Sequence, residues 1–206
     1  MVPRLIGLSG NQSIDGLLTG VAWGLSSLTY GHPNFANSYD NNDTANDPNA
    51  YGNENTATNF QAANPAQEGL FEYGIKLVAY YTNLQFTKTD EAGDIRIAMT
   101  ASNTVATASG FYPDGGYKSG HIWINPNGGE TFTTPALGNW GFATILHEIG
   151  HTLGLKHGHQ ERGYDTSPLA PGPLWAAEDS WNYSIMTYRS YTGAQTNPRA
   201  GHFHQR

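Results

Sequence analysis

The 206-residue sequence predicts a single α+β domain, and three observations lead there. Two stretches repeat apolar residues at helical spacing, and five short runs read as strands between turn signals. The length suits one well-buried core and is short for two full domains.

GVAWGLSSLTYG (Gly20–Gly31) contains a first strand near Leu25 to Tyr30. From Asn34 to Asn59 the chain is almost free of aliphatic residues and cannot bury a core face, so it reads as a long surface loop. Its acids Asp40, Asp43 and Asp47 lack the alternating Asp/Asn ladder and closing Glu of a calcium loop. Leu70, Phe71, Ile75, Val78 and Tyr81 then fall at three- and four-residue steps, which predicts an amphipathic helix from Pro65 to Asn83 with Gln67 and Glu68 in its first turn. Leu84–Thr89 and Asp94–Thr100 are expected as strands separated by the turn DEAG, and Thr107–Pro113 and Gly120–Pro126 as two more split by DGGYKS. A second helix runs from about Trp140 to Leu153 and stops at Gly154, a residue free to take the left-handed conformation. Beyond it Pro168, Pro171 and Pro173 break regular structure.

Composition removes several function classes. With 10 Lys and Arg against 17 Asp and Glu, the net charge of −7 leaves no basic face for a phosphate backbone, so no nucleic-acid partner is expected. No apolar run approaches the roughly 18 residues of a membrane span, and the start MVPRLIGLSGNQ does not read as a signal peptide. Cysteine is absent, so a transition metal would have to be held by His, carboxylate or Tyr.

The chemistry concentrates in HEIGHTLGLKHGH, His147 to His159, which holds four of the eight histidines around one glutamate. His147 and His151 lie four residues apart on a helix, so both imidazoles leave one face and can meet an ion at about 2.0–2.1 Å. Gly154 lets the chain turn back, so that His157 can offer a third nitrogen. Three neutral nitrogens leave the fourth position of a tetrahedral zinc open, as a catalytic site requires. Glu148 can then reach a water on the ion and serve as general base, later as proton donor to a leaving amine. His159 has no place in this set. A different arrangement, two histidines and a glutamate from a following helix, would recruit Glu178 as third ligand, but Gly154 and His157 favour the turned-back geometry.

HEIGHTLGLKH fits HExxHxxGxxH, the extended zinc motif of the metzincin metalloproteases, and SIMTY resembles their methionine turn, with Met186 standing 29 residues after His157. AAEDSWNYSIMTY resembles the serralysin subfamily most closely. NQSIDGLLTGVAW and ANPAQEGLFEYGIKLVAYYTNLQF look like that subfamily's entry strand and first helix, so the resemblance covers most of residues 10 to 192. It implies a zinc-dependent metalloendopeptidase holding one catalytic zinc ion on His147, His151 and His157. It also implies Tyr188 as an additional, mobile ligand whose hydroxyl can hydrogen-bond the oxyanion, Glu148 as catalytic base and Met186 in the floor below the metal. The fold it implies is metzincin-like: a five-stranded mixed twisted sheet, two long helices and an irregular C-terminal subdomain. Thr107–Pro113 would be the edge strand that takes an extended protein or peptide substrate by strand addition. One catalytic domain over 1–192 is expected, its cleft between an upper part, about 15–157, and a lower part, about 158–192. A monomer and an extracellular location follow from the same resemblance.

The chain departs from serralysins after the methionine turn. Neither the further helix nor a GGxGxD calcium repeat is readable, so calcium, possible in the full-length family, has no readable site here. Residues 193–206 are expected to be a disordered or truncated tail, with His202 and His204 in it. A truncated, inactive zinc-binding or protein-interaction domain is therefore the alternative reading.

Overall fold

A computed structural model of the chain describes residues 3–39, 51, 53–161 and 171–195. Asp40, Asp43, Asp47, Pro168, His202 and His204 lie outside the described residues. In chain order the elements are β1 (Pro3–Leu5), α1 (Gln12–Asp15), β2 (Val21–Trp23), β3 (Ser27–Gly31), β4 (Phe60–Gln61), α2 (Pro65–Tyr81), β5 (Gln85–Thr89), β6 (Ile95–Thr100), β7 (Ala108–Gly110), β8 (His121–Ile124), α3 (Glu130–Thr133) and α4 (Trp140–Thr152). A 3₁₀ turn covers Ala36–Ser38.

The α+β class is borne out, with a mixed sheet and few helices. The main path of that sheet is β5-β3-β6-β8-β7, parallel except for β7, which runs antiparallel to β8. A five-stranded sheet was expected, whereas this one has six strands, the sixth being the two-residue β4. It pairs antiparallel with Met99 and Thr100, continuing the side of β6 that β3 occupies at Ile95 and Arg96. A separate pair, β1 with β2, has no counterpart in the sequence reading. Three-residue strands 16 positions apart carry too little pattern to reveal each other.

Every residue of β8 and all but one of β6 are buried, because both sheet faces are covered. Ile95, Ile97, Met99, Ile122 and Ile124 face the core formed with Phe71 and Ile75 of α2 and Ile145 and Ile149 of α4. The alternate positions Ala98 and Trp123 pack with Tyr39, Tyr51 and Val105 on the other side. Full burial of one such side chain contributes about 1.5–3 kcal/mol.

Sequence chemistry sets the helix ends. Asn64 caps α2 by accepting from the Ala66 and Gln67 amides through Oδ1, both at 3.0 Å, while Gln67 Oε1 accepts from the Asn64 amide at 2.8 Å. This is a complete capping box, with Pro65 in the first turn. The helix ends at Tyr81 and not Asn83, because Thr82 turns extended and its hydroxyl donates to the Val78 carbonyl. Asn139 caps α4 through the Phe142 amide. At the other end Gly154 has φ +96°, its amide donates to the His151 carbonyl and that of Leu155 to Gly150, the two bonds of a Schellman turn. A Cβ at Gly154 would also lie 2.2 Å from the Val21 carbonyl oxygen. No other residue type satisfies both the left-handed backbone and this approach.

Candidate metal centre and cleft

Helix α4 carries His147, Glu148 and His151, all buried. The Schellman turn then reverses the chain, and His157 comes back beneath the helix. His157 Nε2 stands 3.1 Å from His147 Nε2 and 3.0 Å from His151 Nε2. Among the described residues these three histidines form the one group of nitrogen or carboxylate donors close enough to hold a metal ion.

Their protonation chemistry fits a cation. His147 Nδ1–H donates to the Ile185 carbonyl at 2.8 Å, and His151 Nδ1–H to the Leu155 carbonyl at 2.7 Å. Each bond fixes the tautomer and leaves Nε2 as a lone pair directed at the other rings. These two lone pairs converge on His157 Nε2, an arrangement that suits a shared cation. Burial disfavours the imidazolium of all three: His147 falls below its ordinary value, His151 to about 3 and His157 to about 2, the last two also through their neighbouring rings. The three imidazoles are therefore neutral across the physiological range, the state in which histidine can bind a metal.

Glu148 is the next residue along the helix and points into the cleft instead of joining the three nitrogens. Burial pushes its carboxyl up to about 8, and the Gly110 amide, hydrogen-bonded to it, draws it the other way. Gly110 ends β7, where the edge strand crosses α4. A Cβ there would lie 2.6 Å from the Glu148 carbonyl oxygen and 3.1 Å from Glu148 Oε2. Sequence reasoning missed this residue, although a glycine inside a strand-like run signals close backbone approach.

An open cleft of about 370 Å³ connects these groups, lined by Ala108, Ser109 and Gly110 of the edge strand together with Glu148, His151, His157 and Tyr188. Tyr112 and Asp114, also in its wall, were not singled out by the sequence. The Tyr188 ring lies 4.2 Å from that of His157 and 6.0 Å from that of His147, centroid to centroid. Burial and the nearby Glu148 push the phenols of Tyr112 and Tyr188 up to about 12. Met186 is buried against Gly150, its carbonyl accepting from the Gly158 amide. Its neighbour Ile185 supplies the carbonyl that orients His147, so this turn acts on the site through its backbone. His159 stacks parallel on His157 at 5.6 Å and is outside the donor group. Glu178 sits elsewhere, in a pocket with Ser13, Leu17, Leu174, Tyr183 and Ser184.

Among proteins of known identity, the chain is 36% identical over 124 residues to serralysin of Proteus mirabilis, 52% of this chain and 25% of that protein. To serralysin G of Dickeya chrysanthemi it is 41% identical over 90 residues, 42% and 18% of the two chains. The metalloprotease AprA of Pseudomonas entomophila is 28% identical over 145 residues, 67% of this chain and 29% of that protein. The alignments thus span less than a third of the relatives' own length. No protein-family model matches the chain. None of the described helices is long and apolar enough to cross a membrane.

Proposed function

We propose that this serralysin-like chain is the catalytic unit of a zinc-dependent metalloendopeptidase, with a metzincin-like fold and a single domain over residues 1–192. The observation that carries the reading is the convergence of three neutral imidazole nitrogens beside a buried carboxylate, beneath an edge strand. His147, His151 and His157 would hold the ion, and Tyr188, whose ring lies 4.2 Å from that of His157, would add a fourth, exchangeable contact. When bound, zinc supplies a Lewis acid that polarises the scissile carbonyl and lowers the pKa of water. The same double charge favours the ionised form of Glu148 and offsets the desolvation that raises it.

Glu148 then accepts a proton from the attacking water and delivers it to the leaving amine. Tyr188 remains a protonated phenol at neutral pH and can donate to the developing oxyanion. The backbone of Ala108–Gly110 faces the cleft as an edge that an extended peptide can join by strand addition. Such binding reads main chain and implies modest sequence selectivity. A monomer acting outside the cell accords with the serralysin likeness.

The test is a chelator-controlled assay. Stripped protein should lose hydrolysis of casein and regain it on addition of zinc. A chain that binds zinc yet shows no chelator-sensitive cleavage would instead be an inactive zinc-binding domain.

Gly110 provides a second expected result. Gly110→Ala forces β7 or Glu148 to shift, and a displacement near 1 Å at a catalytic group costs about 10²-fold in rate. The variant should keep its zinc and lose kcat more than it changes KM. An unchanged kcat would show that β7 does not set the position of the base.

A further inference from the structure

Lys156 is wholly buried, with none of its surface exposed, although lysine is ordinarily a surface residue. Its ammonium donates to the Gln160 and Gly172 carbonyls, each at 2.8 Å, and to the Gly16 carbonyl. Three donors thus meet three backbone oxygens: one just after α1, one in the loop beyond His157 and one in the segment 171–174. The Lys156 amide adds a bond to the Leu17 carbonyl at 2.7 Å. Backbone bonds also tie this loop to its neighbours, from the Thr19 amide to the Gly154 carbonyl at 3.0 Å and from the Leu174 amide to the Gly158 carbonyl at 2.8 Å, and the Lys156 ammonium joins the same three segments at one buried point.

The three metal-facing histidines differ in how they are held. The rings of His147 and His151 are oriented by Nδ1–H bonds to carbonyls. At His157 the bonds hold the backbone: its amide donates to Gln160 Oε1 at 2.9 Å, and the following Gly158 amide to the Met186 carbonyl at 3.2 Å. Where His157 Nε2 stands therefore depends on how the 156–160 loop is anchored. We propose that Lys156 is a positioning residue for His157, its ammonium fixing the loop that presents the third nitrogen by gripping three carbonyls from three chain segments. This rests on the reading of His157 as a zinc ligand.

Lys156→Met keeps the length of the side chain and removes every donor. Zinc affinity, measured by competition with a chelating dye, should fall about 10–100-fold, the range for groups that orient metal ligands. Gln12→Ala is the control, because Gln12 Nε2 bonds the Pro171 and Pro173 carbonyls across the same seam without touching the His157 loop. It should lower Tm and leave zinc affinity within about twofold of the parent, well short of a displaced ligand. Lys156→Arg guards against a misfolded methionine variant. A planar guanidinium cannot meet carbonyls from three directions, so its cobalt(II)-substituted form should show an altered ligand-field spectrum. Parent-like zinc affinity in folded Lys156→Met, or a parent-like cobalt spectrum in Lys156→Arg, overturns the proposal and leaves the peptidase reading intact. A parent chain that binds no zinc overturns both.

Discussion

Replacing Glu148 with alanine should lower peptide hydrolysis by about 10³-fold or more while zinc content stays at the parental level. Metal retention follows because the carboxylate is not among the three converging donors. Loss of rate follows from the make-up of the cleft. Its other groups are poorly suited to take a proton from water: the phenols of Tyr112 and Tyr188 are held protonated to about 12, and the Nε2 atoms of His151 and His157, 3.0 Å apart, would be occupied by the proposed ion. Asp114 is the other carboxylate in the wall, and its Oδ1 already accepts from the Gly116 amide at 2.9 Å and the Ser119 hydroxyl at 2.6 Å. Glu148→Gln should be as inactive as the alanine variant, since an amide keeps the shape and loses the base. Rates near the parent's in either variant would remove Glu148 from the mechanism.

How much of this was legible in the sequence depends on whether the signal lies in side-chain identity or in backbone. Helices α2 and α4 were readable because their apolar period, Asn caps and Gly stop are all residue-type signals, and they were placed to within two residues. β3, β5, β6, β7 and β8 were recognised, though β7 was expected over Thr107–Pro113 and has ladder pairing only over Ala108–Gly110. The chain leaves β7 at the Phe111–Gly120 turn, where the Gly120 amide bonds the Phe111 carbonyl. β4, with two residues, was below any periodic signal. At the site, HExxH spacing and Gly154 brought out His147, Glu148, His151 and His157, whereas Tyr188 came forward through resemblance. The carbonyls of Leu155 and Ile185 could not be read at all, because every residue type carries one. Lys156 was hidden for the same reason: its acceptors are backbone oxygens 140, 4 and 16 positions away.

The proposed ligand set yields the other large effect. His157→Ala should weaken zinc binding by more than the roughly 10–100-fold lost when a mere orienting group is removed, because a direct ligand goes. Glu178→Ala should leave zinc binding unchanged, since Glu178 lines the separate pocket with Leu17 and Leu174. The contrast tests the Schellman turn as much as the ligand. Without the reversal at Gly154, His157 would continue away from the α4 axis, and an acid from the lower segment would have to complete the site. With it, the Leu155 carbonyl that holds His151 and the chain that returns His157 belong to the same few residues. Loss of His157 therefore removes one nitrogen and leaves His147 and His151 still oriented by Ile185 and Leu155, a two-nitrogen site that should bind zinc weakly and release it on dialysis. Undiminished zinc in His157→Ala together with zinc loss in Glu178→Ala would reverse the assignment and require the lower segment to move onto the helix.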